Sequence, residues 1–163
     1  MNPLVVMGVS GCGKSHVGAL VAEKLGLPLI EGDHFHSDAN RALMQAGTPL
    51  TDAHRADWLD RLGRELARHP GGAVLSCSAL KAAYRHRLRA AAPGLAFAWL
   101  DLDAQSAQAR VGQRPEHFFP AGLVATQFAA LESPLHEPRV LRLDALEAPE
   151  ALAERVVQWT RSP

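Results

Sequence analysis

The stretch "GVSGCGKS", Gly8 to Ser15, follows the apolar run Pro3-Leu4-Val5-Val6-Met7 and precedes a segment whose apolar residues recur at helical spacing. It matches the pattern G-x-x-x-x-G-K-[ST] in the strand–loop–helix setting that the pattern requires. Glycines let the backbone wrap closely round an anion, so that successive N–H groups turn toward phosphate oxygens. The helix that follows adds the positive end of its dipole. Gly8, Ser10, Gly11, Cys12, Gly13, Lys14, Ser15 and His16 are therefore the expected phosphate-binding residues. Lys14 would bridge β- and γ-phosphates, and the Ser15 hydroxyl would ligate Mg²⁺. The loop alone does not separate a small-molecule kinase from a GTPase, an ATPase motor or a nucleotide-binding regulator.

Outward from the loop, apolar runs alternate with amphipathic stretches. Leu4–Met7, Leu27–Ile30, Ala73–Cys77, Phe97–Leu102 and Val140–Leu143 read as short strands. Val17–Leu25, Ala53–Arg68, Ala82–Ala91, Gln105–Gln113, Leu123–Leu131 and Ala151–Thr160 read as helices. This alternation predicts βαβ units around a mostly parallel sheet, an α/β fold. At 163 residues the chain fits one domain, read as 1–163. Lys+Arg and Asp+Glu are equal at 17 each, so no global field draws the chain to nucleic acid or to a membrane surface. Two distant cysteines, Cys12 and Cys77, and the absence of a long apolar run lead to the expectation of a cytoplasmic protein with free thiols. Cys12 precedes a helix N-terminus, where positive potential favours a thiolate, although an inert small residue is the plainer reading.

Glu31-Gly32-Asp33 follows the second strand, which puts its carboxylates at the C-terminal sheet edge beside the phosphate loop. A carboxylate there can take a proton from an attacking hydroxyl or organise magnesium waters, and Asp33 could equally cap a helix. The segment from about 34 to 58 is polar and short on core periodicity, as a substrate-facing flap would be. His34 and His36 lack a third well-spaced ligand for zinc.

At this point the chain resembles the gluconate kinases. The resemblance rests on "GVSGCGKS", "EGDHFHSDAN", "GTPLTDAHRADWL", "SCSALKAAYRHRLR", "HFFPAGLVATQF" and "LESP", in the family order and spacing along nearly the whole chain. It implies a three-layer P-loop kinase fold close to shikimate and adenylate kinases, with a five-stranded parallel sheet in the order 2-3-1-4-5. It implies transfer of the ATP γ-phosphoryl to the 6-hydroxyl of D-gluconate, with Mg²⁺, and a homodimer. Catalytic roles then fall to Lys14, Asp33 and Arg114, and substrate contacts to Asp33, His36, Asn40, Arg55, Lys81, Arg85 and His117. Arg110 and Arg114 belong to a lid of about 110–122 that would close over adenine.

Elementary chemistry agrees with the substrate. Gluconate carries one carboxylate and a row of hydroxyls, and arginine binds carboxylate bidentately. Arg85, one turn after Lys81, is the expected carboxylate partner, with a solvated basic face as the bland alternative. The chain departs from the family's His-Pro at His36-Ser37, from its "PWL" at Asp57-Trp58-Leu59, and from a lysine at Pro120. A kinase for another small acid or sugar acid, such as shikimate or a different aldonate, and a P-loop nucleotide-binding regulator are the alternatives.

Overall fold

The computed structural model describes residues 1–112 and 124–162. Five parallel strands, β1 (Leu4–Met7), β2 (Leu29–Glu31), β3 (Val74–Ser76), β4 (Ala96–Asp101) and β5 (Val140–Asp144), form one sheet in the order β2-β3-β1-β4-β5. The expected 2-3-1-4-5 order is observed. Central β1 pairs on both sides, with Leu4 opposite Val74 and Ala96.

Because side chains alternate across a strand, β1 feeds two separate cores. Leu4 and Val6 face one side, where they pack with α1 (Lys14–Leu25) and α7 (Pro149–Arg161) through Val17, Val21, Leu152 and Val156. Val5 and Met7 face the other, against Leu59, Leu62 and Leu66 of α3 (Asp52–Ala67) and Leu88 of α4 (Ala82–Ala91). With both faces covered, the inner strands β1, β3 and β4 read as continuous apolar runs, whereas edge strands β2 and β5 are only partly buried. The result is a three-layer sandwich that delivers the ends of β1, β2 and β3 to one edge.

Helix α2 (Asp38–Gln45) stands where the sequence reading placed only a flap. It buries just Asn40 and Met44, too few apolar residues to show a period. Its start is fixed by Ser37, whose hydroxyl accepts the Asn40 N–H at 3.1 Å. The departure from His-Pro thus supplies an N-cap. Helices α5 (Ala104–Gly112) and α6 (Val124–Ala130) flank the undescribed residues 113–123. Among the described residues no helix is long and apolar enough to cross a membrane.

Candidate active site

The phosphate loop runs from the end of β1 into α1. Gly13, its N-cap, has φ 90°, a left-handed conformation that strains any residue with a Cβ. No acidic residue of α1 itself occupies its first turn, so none opposes the positive end of the helix dipole from within the helix. Beyond β2 the chain makes a 3-10 turn over Gly32–Phe35. A Cβ at Gly32 would sit 2.6 Å from the Ser76 carbonyl oxygen, so only glycine lets β2 and β3 deliver their ends side by side. That close approach brings three oxygen groups together. The Ser15 hydroxyl donates to Glu31 Oε2 at 2.9 Å, and Ser76 Oγ lies 3.3 Å away.

Three cavities line up along this edge. The first, about 280 Å³, takes its walls from Ser10, Lys14 and Ser15 of the loop and from Asp33, His36 and Arg55 opposite. A second, about 360 Å³, opens on the other side of the loop between Cys12, Gly13, His16, Arg110, Glu147 and Pro149. It shares Gly13 and His16 with the first. A third, about 150 Å³, continues from the first past Met44, Leu50, Arg55 and Gln127 and ends at Lys81. The phosphate loop therefore stands between a cavity lined by Arg110 and two adjoining ones lined by Asp33, Arg55 and Lys81.

On the far side, His36 is buried and stacks on Trp58, with ring centroids 4.1 Å apart and planes 16° from parallel. Trp58 in turn donates its Nε1–H to the Gly32 carbonyl at 2.8 Å, tying the flap to the end of β2. Asn40 Nδ2 donates to the His54 carbonyl at 3.0 Å and lies 3.4 Å from His36 Nδ1. An amide NH₂ has only donors, so His36 Nδ1 accepts and the ring carries its proton on Nε2. Burial lowers the His36 pKa to about 4, while nearby Asp33 opposes the shift and Arg55, Arg41 and Arg61 favour it. His36 is a neutral hydrogen-bonding wall, not a cation.

A pH dependence follows. Between pH 6.5 and about 4 the unfolded chain binds a proton at His36 that the native state refuses, so this contribution is complete above 6.5 and is lost on acidification. It amounts to at most about 3 kcal/mol. Urea midpoints taken from pH 7 to 4 should fall less steeply for His36→Asn than for wild type. Parallel curves would mean that His36 titrates freely.

Of the other expected contacts, Arg55 lines both acceptor-side cavities, donates to the Leu50 carbonyl and lies 5.7 Å from the Tyr84 ring centroid. Lys81 reaches the third cavity while its Nζ donates to Asp52 Oδ1 at 3.0 Å. Tyr84 and Lys81 together hold the exposed Asp52 carboxyl below its ordinary pKa. Arg110 donates to the Gly11 carbonyl at 3.0 Å and the Ala145 carbonyl at 3.3 Å, joining the phosphate loop to the turn after β5. Arg114, His117 and Pro120 lie outside the described residues.

One expectation is corrected. Arg85 does not face the cleft: it is fully buried, and all five of its N–H groups are engaged. Nε and Nη2 grip the Glu137 carboxylate, with the shortest contact 2.7 Å, and the remaining donors go to the carbonyls of Ala79, Leu80 and Glu132. It is a structural arginine with no donor left for a substrate. Cys12 is buried as well, and that burial pushes its thiol pKa up despite Lys14 and Arg110 nearby. Desolvation outweighs the helix end and argues against a thiolate there. The Cys77 thiol is likewise pushed up to about 12 by burial.

Sequence reasoning assigned no role to Gln127 or Ser76, and noted Glu31 only as part of a carboxylate pair. The signal for Gln127 was available: it is a polar residue on the same face as Val124, both buried in α6.

A family profile described as an AAA domain matches residues 4–135. A gluconokinase of Gluconobacter oxydans is 42% identical over 159 residues, covering 95% of this chain and 89% of that protein. The crystal structure of a gluconokinase from Sinorhizobium meliloti superposes with a TM-score of 0.89 at 42% identity, over 97% of this chain and 90% of that one. Shikimate kinase from Acinetobacter baumannii, at 16% identity and a TM-score of 0.70 over 98% of this chain and 93% of its own, shares the fold alone. Likeness this close, over nearly the full length of both chains, places the protein: it belongs to the gluconokinase family.

Proposed function

We propose that the protein transfers the γ-phosphoryl group of ATP to the 6-hydroxyl of D-gluconate, giving 6-phosphogluconate and ADP. The observation that carries this reading is the acceptor side of the loop. A carboxylate, Asp33, stands beside the phosphate loop, and two cations stand beyond it, Arg55 where the two acceptor-side cavities meet and Lys81 in the second of them. A six-carbon acid laid along these cavities puts a terminal hydroxyl at Asp33 and its carboxylate among the cations. The nucleoside then belongs on the other side of the loop, by Arg110 and the turn after β5, with its terminal phosphate directed across Lys14.

Within that arrangement Lys14 holds the transferred group, Asp33 orients the acceptor hydroxyl and receives its proton, and Arg55 anchors the acid end. His36 offers Nε2–H to a substrate oxygen. Ser15 and Glu31, with Ser76 beside them, form an all-oxygen donor set that fits Mg²⁺, which when bound neutralises phosphate charge. Lid closure over 110–122, with Arg114 and His117, a homodimer and a cytoplasmic setting belong to the same reading. The last is supported by two free buried thiols.

A coupled assay for ADP tests it, with D-gluconate, other aldonates, shikimate and no acceptor run in parallel. Turnover should require gluconate. Preference for another acid would reassign the substrate, and slow acceptor-independent ADP release alone would favour a nucleotide-binding regulator.

A further inference from the structure

Gln127 is the one polar side chain that α6 buries, 8% exposed, and it reaches the phosphate loop from a distant part of the chain. Its Oε1 accepts the Ser10 N–H at 2.7 Å, a bond buried on both sides. Ser10 belongs to the acceptor half of the loop. It lines the cavity with Asp33 and His36 and not the one with Arg110, whereas Cys12 lines only the latter and Gly13 and His16 line both. Because Oε1 is held by the loop, the amide orientation is fixed, and Nε2 is the remaining end. Among the described residues Nε2 has no hydrogen-bond partner. The side chain lines both acceptor-side cavities, at the point where they join.

We infer that Gln127 is a specificity and positioning residue of the acceptor site. One end of its amide fixes the acceptor-side backbone of the phosphate loop. The other donates to an oxygen of the bound acceptor, or of the phosphoryl group moving toward it. A single rigid amide thereby sets the distance between the loop and the hydroxyl that attacks, which is the quantity on which an in-line transfer depends. The side chain lines both acceptor-side cavities and its Nε2 is not among the sealed, unpartnered polar atoms, so its donors are open to an oxygen of the bound substrate. The inference rests on the acceptor lying in these two cavities, as the proposed reaction requires.

Two variants separate the ends of the amide. Gln127→Glu keeps an oxygen to accept the Ser10 N–H and replaces the donor by an acceptor. Gln127→Met keeps the length and removes both. Melting temperature and the Kd for ADP report the loop; kcat and the KM for gluconate report the acceptor site. Both variants should lose about 30- to 100-fold in kcat/KM for gluconate, by analogy with loss of one positioned donor, and Gln127→Glu should keep wild-type melting and ADP affinity within about twofold. Wild-type kcat and KM in Gln127→Glu would overturn the inference, because a clamp alone would then suffice. So would a loss spread equally over ADP affinity and acceptor kinetics.

The wild-type arm keeps the two readings apart. If wild type phosphorylates another acid and not gluconate, the substrate assignment fails and Gln127 is judged by the same comparison on that acid. If no acid is accepted, binding of a non-hydrolysable ATP analogue decides it. Gln127→Glu should then weaken the analogue about tenfold more than it weakens ADP, and equal effects would overturn the inference.

Discussion

A Lys14→Ala variant is expected to lose at least about 100-fold in turnover, by the scale of losses when one positioned charge or donor is removed, and to melt within a few degrees of wild type. The two halves of this expectation come from the same environment. Lys14 opens α1 and lines the first cavity, with no carboxylate within ion-pair distance among the described residues. The native fold therefore loses no pairing when the ammonium is deleted, and substitutions of that kind cost little stability. The reaction loses a charge-assisted contact to the phosphates at the moment charge redistributes between them. Because ADP lacks the transferred group, its affinity should fall less than kcat does. Near-normal gluconate phosphorylation by a folded Lys14→Ala protein would remove the loop from the chemistry.

How far such a site can be read from sequence depends on whether the signal is local. The phosphate loop is local: glycine spacing, the strand before it and the helix after it lie within 25 residues, and the observed β1 and α1 follow. Sheet membership was also legible, since each strand buried on both faces shows as an apolar run. Helix α2 was not, because it packs by Asn40 and Met44 only and depends on Ser37 for its start. The pairing of Ser15 with Glu31 was half legible: the strand end located the carboxylate, but Gly32 fitting against the Ser76 carbonyl needs the neighbouring strand to be known. Gln127 meets Ser10 across 117 positions of sequence, and no periodicity encodes that.

Arg85 was misread for a sharper reason. The one-turn spacing from Lys81 would place both on one helix face only if both were helical. Lys81 is the N-cap of α4, with extended dihedrals of φ −100° and ψ 146°, so the argument fails at the helix boundary. Lys81 turns out toward Asp52, and Arg85 turns in toward Glu137, 52 positions away. The same residue type on the same short stretch serves two ends, and only the fold distinguishes them.

Arg85→Ala should accordingly destabilise the fold rather than weaken its grip on gluconate. The variant would strand the carbonyls of Ala79 and Glu132, take one of the two donors from the Leu80 carbonyl, which keeps the Glu132 N–H, and leave Glu137 with Arg89 as its one cation among the described residues. Ala79 sits at φ 47°, a left-handed conformation unfavourable for a residue with a Cβ, and its carbonyl is among those held. Removing one partner of a buried pair costs about 3–5 kcal/mol, more than burying the pair gains over an apolar replacement. For a domain of this size that is a fall of roughly 10 °C in melting temperature. Acid behaviour gives a second readout. Burial raises the Glu137 pKa, but the hydrogen bonds of Arg85 and then Arg89 outweigh it and hold the carboxyl below its ordinary value. The stability this supplies is complete above the ordinary carboxylate pKa of about 4.3 and is lost as pH falls below it. Arg85→Ala should lose that acid-sensitive part, so its denaturation midpoint falls less between pH 6 and 3 than the wild-type midpoint does. Below its melting temperature, the variant's KM for gluconate should match wild type. A variant that melts normally but shows a raised KM would return the carboxylate contact to Arg85 and take it from Arg55 and Lys81.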